Sequence, residues 1–236
     1  MGIRKKIKKF LAEREINKKY GKYFTEKTIK KDWDKHHLNK VALINAAVLK
    51  TLRRKKRCVY LEIGCDDNNT FNSISLPKKY KYGVDPRSGG NIKKTSDNFF
   101  KSNKIKFDII FIDGLHEYEQ CQKDVINSIN FLNNDGYIFL HDLIPLNWKM
   151  ELVPRIQKKW NGDVWKVAFE LFKSNSINFK IADIDNGVGY FKKVNKIKYI
   201  FLNDKLKNKR FKDFLKIYNS LPIISGEKSL KNILND

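Results

Sequence analysis

The sequence predicts an α/β fold built on a parallel sheet, and three observations carry that prediction. First, residues 107–142 read FDIIFIDGLHEYEQCQKDVINSINFLNNDGYIFLHD, with unbroken apolar runs at 109–112 and 137–140 flanking a segment of helical period. Continuous apolar runs are what strands covered on both faces look like, and a helix between two of them makes a crossover unit. Second, strand-like and helix-like segments alternate from Cys58 onward. Third, the apolar runs end in residues that carry chemistry: Glu62 and Gly64, Asp85, Asp113 and His116, His141 and Asp142. Ligands of such sheets sit beyond the carboxyl ends of the strands. Acidic and imidazole groups are therefore expected at one edge.

Length and composition bound the rest. A chain of 236 residues, 41% hydrophobic and 13% aromatic, has room for one well-cored α/β domain with terminal additions. Its 49 Lys and Arg against 26 Asp and Glu leave a formal charge of +23. Such a field favours anionic partners: nucleic acid, a phosphorylated substrate or an acidic membrane face. Lys, Asn and Ile are abundant together, which is also the usage of an AT-rich coding sequence. Cys58, Cys65 and Cys121 are odd in number and lack C-x-x-C spacing, so they suggest neither a disulfide framework nor a zinc knuckle. Reduced thiols and a cytoplasmic location are expected. No apolar run approaches the ~18 residues that span a bilayer, and the amino end lacks the apolar core of a signal peptide.

Taken in order, residues 2–20 place Ile3, Ile7, Phe10 and Leu11 at helical spacing among lysines, a basic amphipathic helix suited to the domain surface, a second subunit or an anionic membrane. A second helix is expected over 34–53, with His36 and His37 exposed at its start. The first strand, 58–63, ends in Gly64, whose missing side chain lets backbone approach a ligand closely. The loop after it, Cys65-Asp66-Asp67-Asn68-Asn69-Thr70, is acidic and lacks the G-x-G-x-x-G spacing, so it would repel a dinucleotide pyrophosphate and suits a positive centre. A short strand, 80–84, ends on Asp85, placed to accept the vicinal hydroxyls of a ribose or to make an Asp-Pro turn. A weaker strand is expected at 91–94, then a short helix capped by Ser96 or Asp97. Helices follow over 151–160 and 162–173. Strands 178–184 and 187–191 enclose an Asp185-Asn186 turn, an antiparallel hairpin. The tail holds one more short strand and a helix over 210–218.

Phe111-Ile112-Asp113-Gly114-Leu115-His116-Glu117-Tyr118, with His141-Asp142 closing the unit, resembles the F-I-D-G-x-H-x-Y pattern of small-molecule class I S-adenosylmethionine-dependent methyltransferases, similar to sugar and catechol O-methyltransferases. Leu61-Glu62-Ile63-Gly64, Tyr82-Gly83-Val84-Asp85 and the segment Thr95 to Phe100 match in order, so the resemblance covers residues 58–193. It implies a Rossmann-like, seven-stranded, mostly parallel sheet with helices on both faces, the last strand antiparallel, and N-terminal helices added. It implies S-adenosylmethionine as cofactor. Glu62, Gly64 and Cys65 would hold its amino-acid end, Asp85 its ribose, Asp97 would lie near its adenine, and Asp113 would stand beside it. Asn68 departs from the pattern where many relatives have glycine, and asparagine tolerates the left-handed backbone better than other residues. The implied organisation is a helical extension over 1–55, a cofactor-binding core over 56–195 and a strand and helix extension over 196–236.

The chemistry adds roles. Methyl transfer is an in-line displacement that needs an aligned, deprotonated acceptor. His116, just past the strand, is the expected base, with Asp113 beside it; its other reading is a cap at the helix start. Asp113, His141 and Asp142 form a candidate site for a divalent ion that would lower the acceptor's pKa. An imidazole suits a hard cation poorly, which admits Mn²⁺ beside Mg²⁺, or no metal. The expected partner is a small-molecule acceptor, a sugar or nucleotide-sugar, within a homo-oligomer. Trp148, Trp160 and Trp165 are candidates to stack on its ring, or core residues. Nucleic acid is the alternative acceptor, although the N-P-P-Y-like turn of amine methylases and a Pro-Cys pair are absent. The remaining alternative is a non-catalytic cofactor-binding scaffold.

Overall fold

The computed structural model describes residues 3–33, 37–194 and 196–235, with side chains from residue 10 onward. A helix, α1 (Ile3–Tyr20), leads to α2 (Lys40–Arg54), which starts later than expected because Asn39 is its N-cap, accepting from Ala42 N. His36 lies outside the described residues and His37 is exposed. Alternation then begins: β1 (Tyr60–Ile63), α3 (Asn69–Ser73), β2 (Lys81–Val84), α4 (Ser96–Ser102), β3 (Phe107–Ile112), α5 (Tyr118–Phe131) and β4 (Leu132–Leu140). After β4 come α6 (Trp148–Glu151), α7 (Trp165–Lys173), β5 (Lys180–Ala182), β6 (Val188–Lys192), α8 (Asn203–Leu206), α9 (Phe211–Ile217), β7 (Ile223–Ile224) and α10 (Gly226–Asn235).

The seven strands form one mostly parallel sheet in the order β2-β1-β3-β4-β6-β5-β7, as the fold class requires. Only β6 opposes the others, antiparallel to β4 and to β5, and it closes the segment to which the resemblance extends. The tail adds β7, parallel to β5, at the sheet edge. Side-chain alternation splits the core in two. Leu61, Ile63, Ile110, Ile112, Ile138 and Leu140 face the layer that includes α5, α7 and α9. Tyr60, Ile109, Phe111, Tyr137 and Phe139 face α2 and α10. Both faces are covered, which is why these strands read as continuous apolar runs.

Several expectations are corrected. Residues 91–94 form no strand, only an isolated bridge from Ile92 to Val84. Thr95, not Ser96 or Asp97, caps α4 by accepting from Asn98 N. The helix expected over 151–160 is the single turn α6, because Pro154 has no N–H and bars Val153 from helical backbone. The helix expected from 162 starts at Trp165, since Gly162 takes φ +66°. Phe10 and Leu11 are 64% and 52% exposed, so their part of the amphipathic helix does not pack on the domain. Trp148 and Trp165 are core residues. No described helix is long and apolar enough to cross a membrane. The three cysteines are free and buried.

Candidate active site

The carboxyl ends of β1 to β4 open into one cleft of about 860 Å³. Glu62, Gly64, Cys65, Asp85, Asp97, Asp113, His116, His141 and Asp142 all line it, so the sequence-derived candidates converge. Asp66 and Asp67 from the loop after β1, and Asp124 from α5, add to the lining. Eight carboxyl groups, of which Glu62 keeps its proton up to about 8, therefore meet four Lys or Arg side chains, Lys40, Arg87, Arg155 and Lys158. A chain of charge +23 thus carries a cleft of opposite character. A cationic ligand is favoured there and a polyphosphate opposed.

At the tip of β1, Glu62 is buried and accepts from Tyr60 Oη at 2.5 Å. Burial and the nearby Asp113 push its carboxyl up to about 8, against the opposing Tyr60 bond. Gly64 has φ +83°, and a Cβ there would lie 2.2 Å from the Asp113 carbonyl oxygen, so glycine lets the β1 and β3 loops meet. Cys65 is buried, and its thiol is pushed up by burial, so it contributes shape and its main-chain N–H in place of a thiolate.

Asp85 binds protein before any ligand. One carboxylate oxygen accepts from Cys65 N and Asp66 N at 3.0 and 3.2 Å; the other accepts from Arg87 N and Ser88 N at 2.8 and 2.9 Å. Burial would raise its pKa, but these four amides hold it below the usual range. The loops after β1 and β2 are stapled further by Asn68, at φ +65°, whose Oδ1 accepts from Gly90 N. Asparagine thus supplies the left-handed backbone expected of glycine and a bond glycine lacks. Asp97 Oδ1 accepts from Gln120 Nε2 at 3.2 Å.

The tips of β3 and β4 carry a compact cluster. Asp113 Oδ1 lies 3.3 Å from His116 Nε2 and 3.2 Å from His141 Nδ1. Asp142 Oδ2 is 3.4 Å from His116 Nδ1 and 3.5 Å from His141 Nδ1. Candidate ligand atoms of Asp113, His141 and Asp142 lie within 4.8 Å of one another. Asp142 is held at φ +60°, strained backbone of the kind found at functional sites. Burial disfavours both charged imidazoles, but the carboxylates outweigh it: His116 is raised above 6.5, and His141 well above it. The Asp113 carboxyl is correspondingly held well below the usual range.

Sequence reasoning named Trp160 only as an acceptor-stacking or core candidate, and missed the other residues that hold this cluster. Trp160 stacks on His116, ring centroids 5.4 Å apart, and its carbonyl accepts from His116 Nδ1 at 3.2 Å. Asn161 Nδ2 donates to Asp142 at both the carbonyl and Oδ1, while its own Oδ1 is buried without a partner. A Cβ on Gly162 would stand 1.7 Å from the His116 carbonyl oxygen. Asp163 caps α5 by accepting from Tyr118 N at 2.7 Å. From the hairpin turn, Asp185 Oδ1 lies 3.3 Å from His141 Nε2, and Lys40 Nζ lies 3.4 Å from the same nitrogen. The Trp-Asn-Gly-Asp stretch, a turn signal between two tryptophans, is the one local clue.

Residues 36–143 match the family model of a methyltransferase domain. The matched region, just under half of the chain, contains all four strand tips of the cleft and excludes the 160–163 segment. Over 132 residues the chain is 25% identical to an uncharacterized protein of Acanthamoeba polyphaga mimivirus, a match covering 44% of this chain. It spans 60% of that relative's length. Among solved structures, a methyltransferase of Podospora anserina with SAH bound is similar at 16% identity and a TM-score of 0.47, over 68% of this chain and 90% of that one. An O-methyltransferase of Bacillus cereus in complex with SAH is similar at 11% identity and a TM-score of 0.45, over 76% and 96%.

Proposed function

We propose that the chain is an S-adenosylmethionine-dependent methyltransferase that methylates a hydroxyl of a small polyhydroxylated molecule such as a sugar. The observation that carries this reading is the acidic cleft at the strand ends of a strongly basic protein, within the segment matched by the methyltransferase-domain model. Its lining fits a cationic nucleoside. Glu62 and the acidic loop suit the ammonium and sulfonium end, Gly64 lets the β1 and β3 loops meet beneath it, Asp85 shapes the ribose end by holding both loops, and Asp97 stands near the adenine end. Bound there, S-adenosylmethionine supplies an electrophilic methyl group on sulfur.

The chain's own residues then handle the proton. With Nδ1 donating to the Trp160 carbonyl, Nε2 is the His116 atom that takes the acceptor's hydroxyl proton, the hydroxyl displacing the direct contact of Nε2 with Asp113 Oδ1. Asp113 Oδ1, 3.3 Å away, stabilises the imidazolium that forms. A bound S-adenosylmethionine would supply the methyl group to that oxygen, its sulfur keeping the electron pair of the broken carbon–sulfur bond. Because the two carboxylates raise the imidazole pKa, the base form fills only above the ordinary histidine range. A divalent ion, Mg²⁺ or Mn²⁺, would be held by Asp113, His141 and Asp142 and would lower the hydroxyl's pKa; the imidazole favours Mn²⁺.

Calorimetry with SAH tests the cofactor assignment, with NADH as the anionic control. SAH is expected to bind and NADH not to. Preference for NADH, or no heat with SAH, removes the proposal.

A further inference from the structure

A second cavity of about 450 Å³ shares Asp142 and Trp160 with the cleft, so a group filling it reaches the catalytic cluster. The N-terminal segment that lines it is strapped down at three points. Ile29 N donates to the Leu146 carbonyl at 2.9 Å, Lys31 pairs with Asp183, and Trp33 Nε1 donates to Asp183 Oδ1 at 3.0 Å. Two indoles, Trp33 and Trp160, supply apolar lining, while Asn39, Asp185 and Asn186 supply hydrogen-bonding groups. Aromatic faces toward C–H bonds, with carboxylates and amides toward hydroxyls, suit a saturated polyhydroxylated ring.

The mouth carries a different signal. Lys159 lines the second cavity, and its neighbour Lys158 lines the cleft; both are exposed. Neither has a carboxylate partner among the described residues, whereas Lys31 and Lys40 are neutralised by Asp183 and Asp185. Two ammonium groups without an ion pair, one lining each cavity, can anchor an anion.

We propose that this second cavity is the acceptor site and that it takes a sugar carrying a phosphate ester, its ring against Trp33 and its phosphate on Lys158 and Lys159. The proposal rests on the methyltransferase reading for what happens to the ring, but the pocket's ligand class is testable without turnover. Calorimetry on the full chain saturated with SAH uses glucose 1-phosphate, N-acetylglucosamine 1-phosphate, their UDP-sugars, the two free sugars and pyrophosphate. At least one phosphorylated sugar is expected to bind about tenfold or more tighter than its free sugar and than pyrophosphate. Lys159→Ala is expected to erase that advantage with SAH affinity unchanged. Tighter UDP-sugar than sugar 1-phosphate identifies a nucleotide-sugar, and the reverse a simple ester. The proposal is overturned if no phosphorylated sugar binds, if pyrophosphate binds as tightly, or if Lys159→Ala changes nothing. Absence of SAH binding with phosphosugar binding retained would instead remove the cofactor reading and leave the pocket assignment standing.

Discussion

Replacing Glu62 by Gln isolates a buried, strongly perturbed carboxyl at the tip of β1. Glu62 is 1% exposed, and its carboxyl is pushed up to about 8 by burial, from an ordinary 4.5. Between these values the folded chain holds a proton that the unfolded chain has released. Stability therefore falls as pH rises through this window, and the loss is complete above about 8. The gap of 8 − 4.5 = 3.5, at ~1.4 kcal/mol for each tenfold, corresponds to a cost on the order of 5 kcal/mol once the carboxylate is forced to ionise. Glutamine keeps an oxygen to accept from Tyr60 Oη and never ionises. Urea denaturation at about pH 5 and about pH 9 should show the variant near wild type at the lower pH and more stable by several kcal/mol at the higher. A difference that stays constant between the two would refute the raised carboxyl.

Turnover is expected to rise with pH through the elevated His116 pKa, and His116→Ala should lose about 100- to 10,000-fold in rate while SAH affinity measured by calorimetry holds; an unchanged rate would reject the base. Gly162→Ala drives a Cβ into the His116 carbonyl, so the rate should fall steeply and the melting temperature drop, because that backbone cannot give way without moving the histidine. Asp85→Asn leaves one acceptor oxygen for four amides, and urea unfolding should report a loss of about 1–3 kcal/mol for each pair left unsatisfied. Retained stability would mean that the two loops hold themselves.

Much of the cleft was legible in local sequence because a parallel strand buried on both faces writes itself as an unbroken apolar run, and its carboxyl end marks the ligand edge. Residues 109–112 and 137–140 located β3 and β4, and Asp113, His116 and Asp142 followed from being next in line. Capping and strand limits shifted by a few residues where short-range bonds decided them, as at Asn39 and Thr95. The Asp185-Asn186 turn was readable as a hairpin, but not as a partner of His141.

The sequence by itself determined the α/β class, the strand tips and the acidic loop, since periodicity and turn chemistry act over a few residues. Only the tertiary structure decided how those tips are used. Asp85 turned out to be occupied by four amides, and His116 to be gripped by Trp160 and Gly162, more than forty residues away in the chain. Lys40 and Asp185 reach His141 from separate layers, and Trp33 meets Asp183 across 150 positions. Such contacts arise from where the sheet order and the straps over it bring the chain back on itself, and no local pattern encodes that.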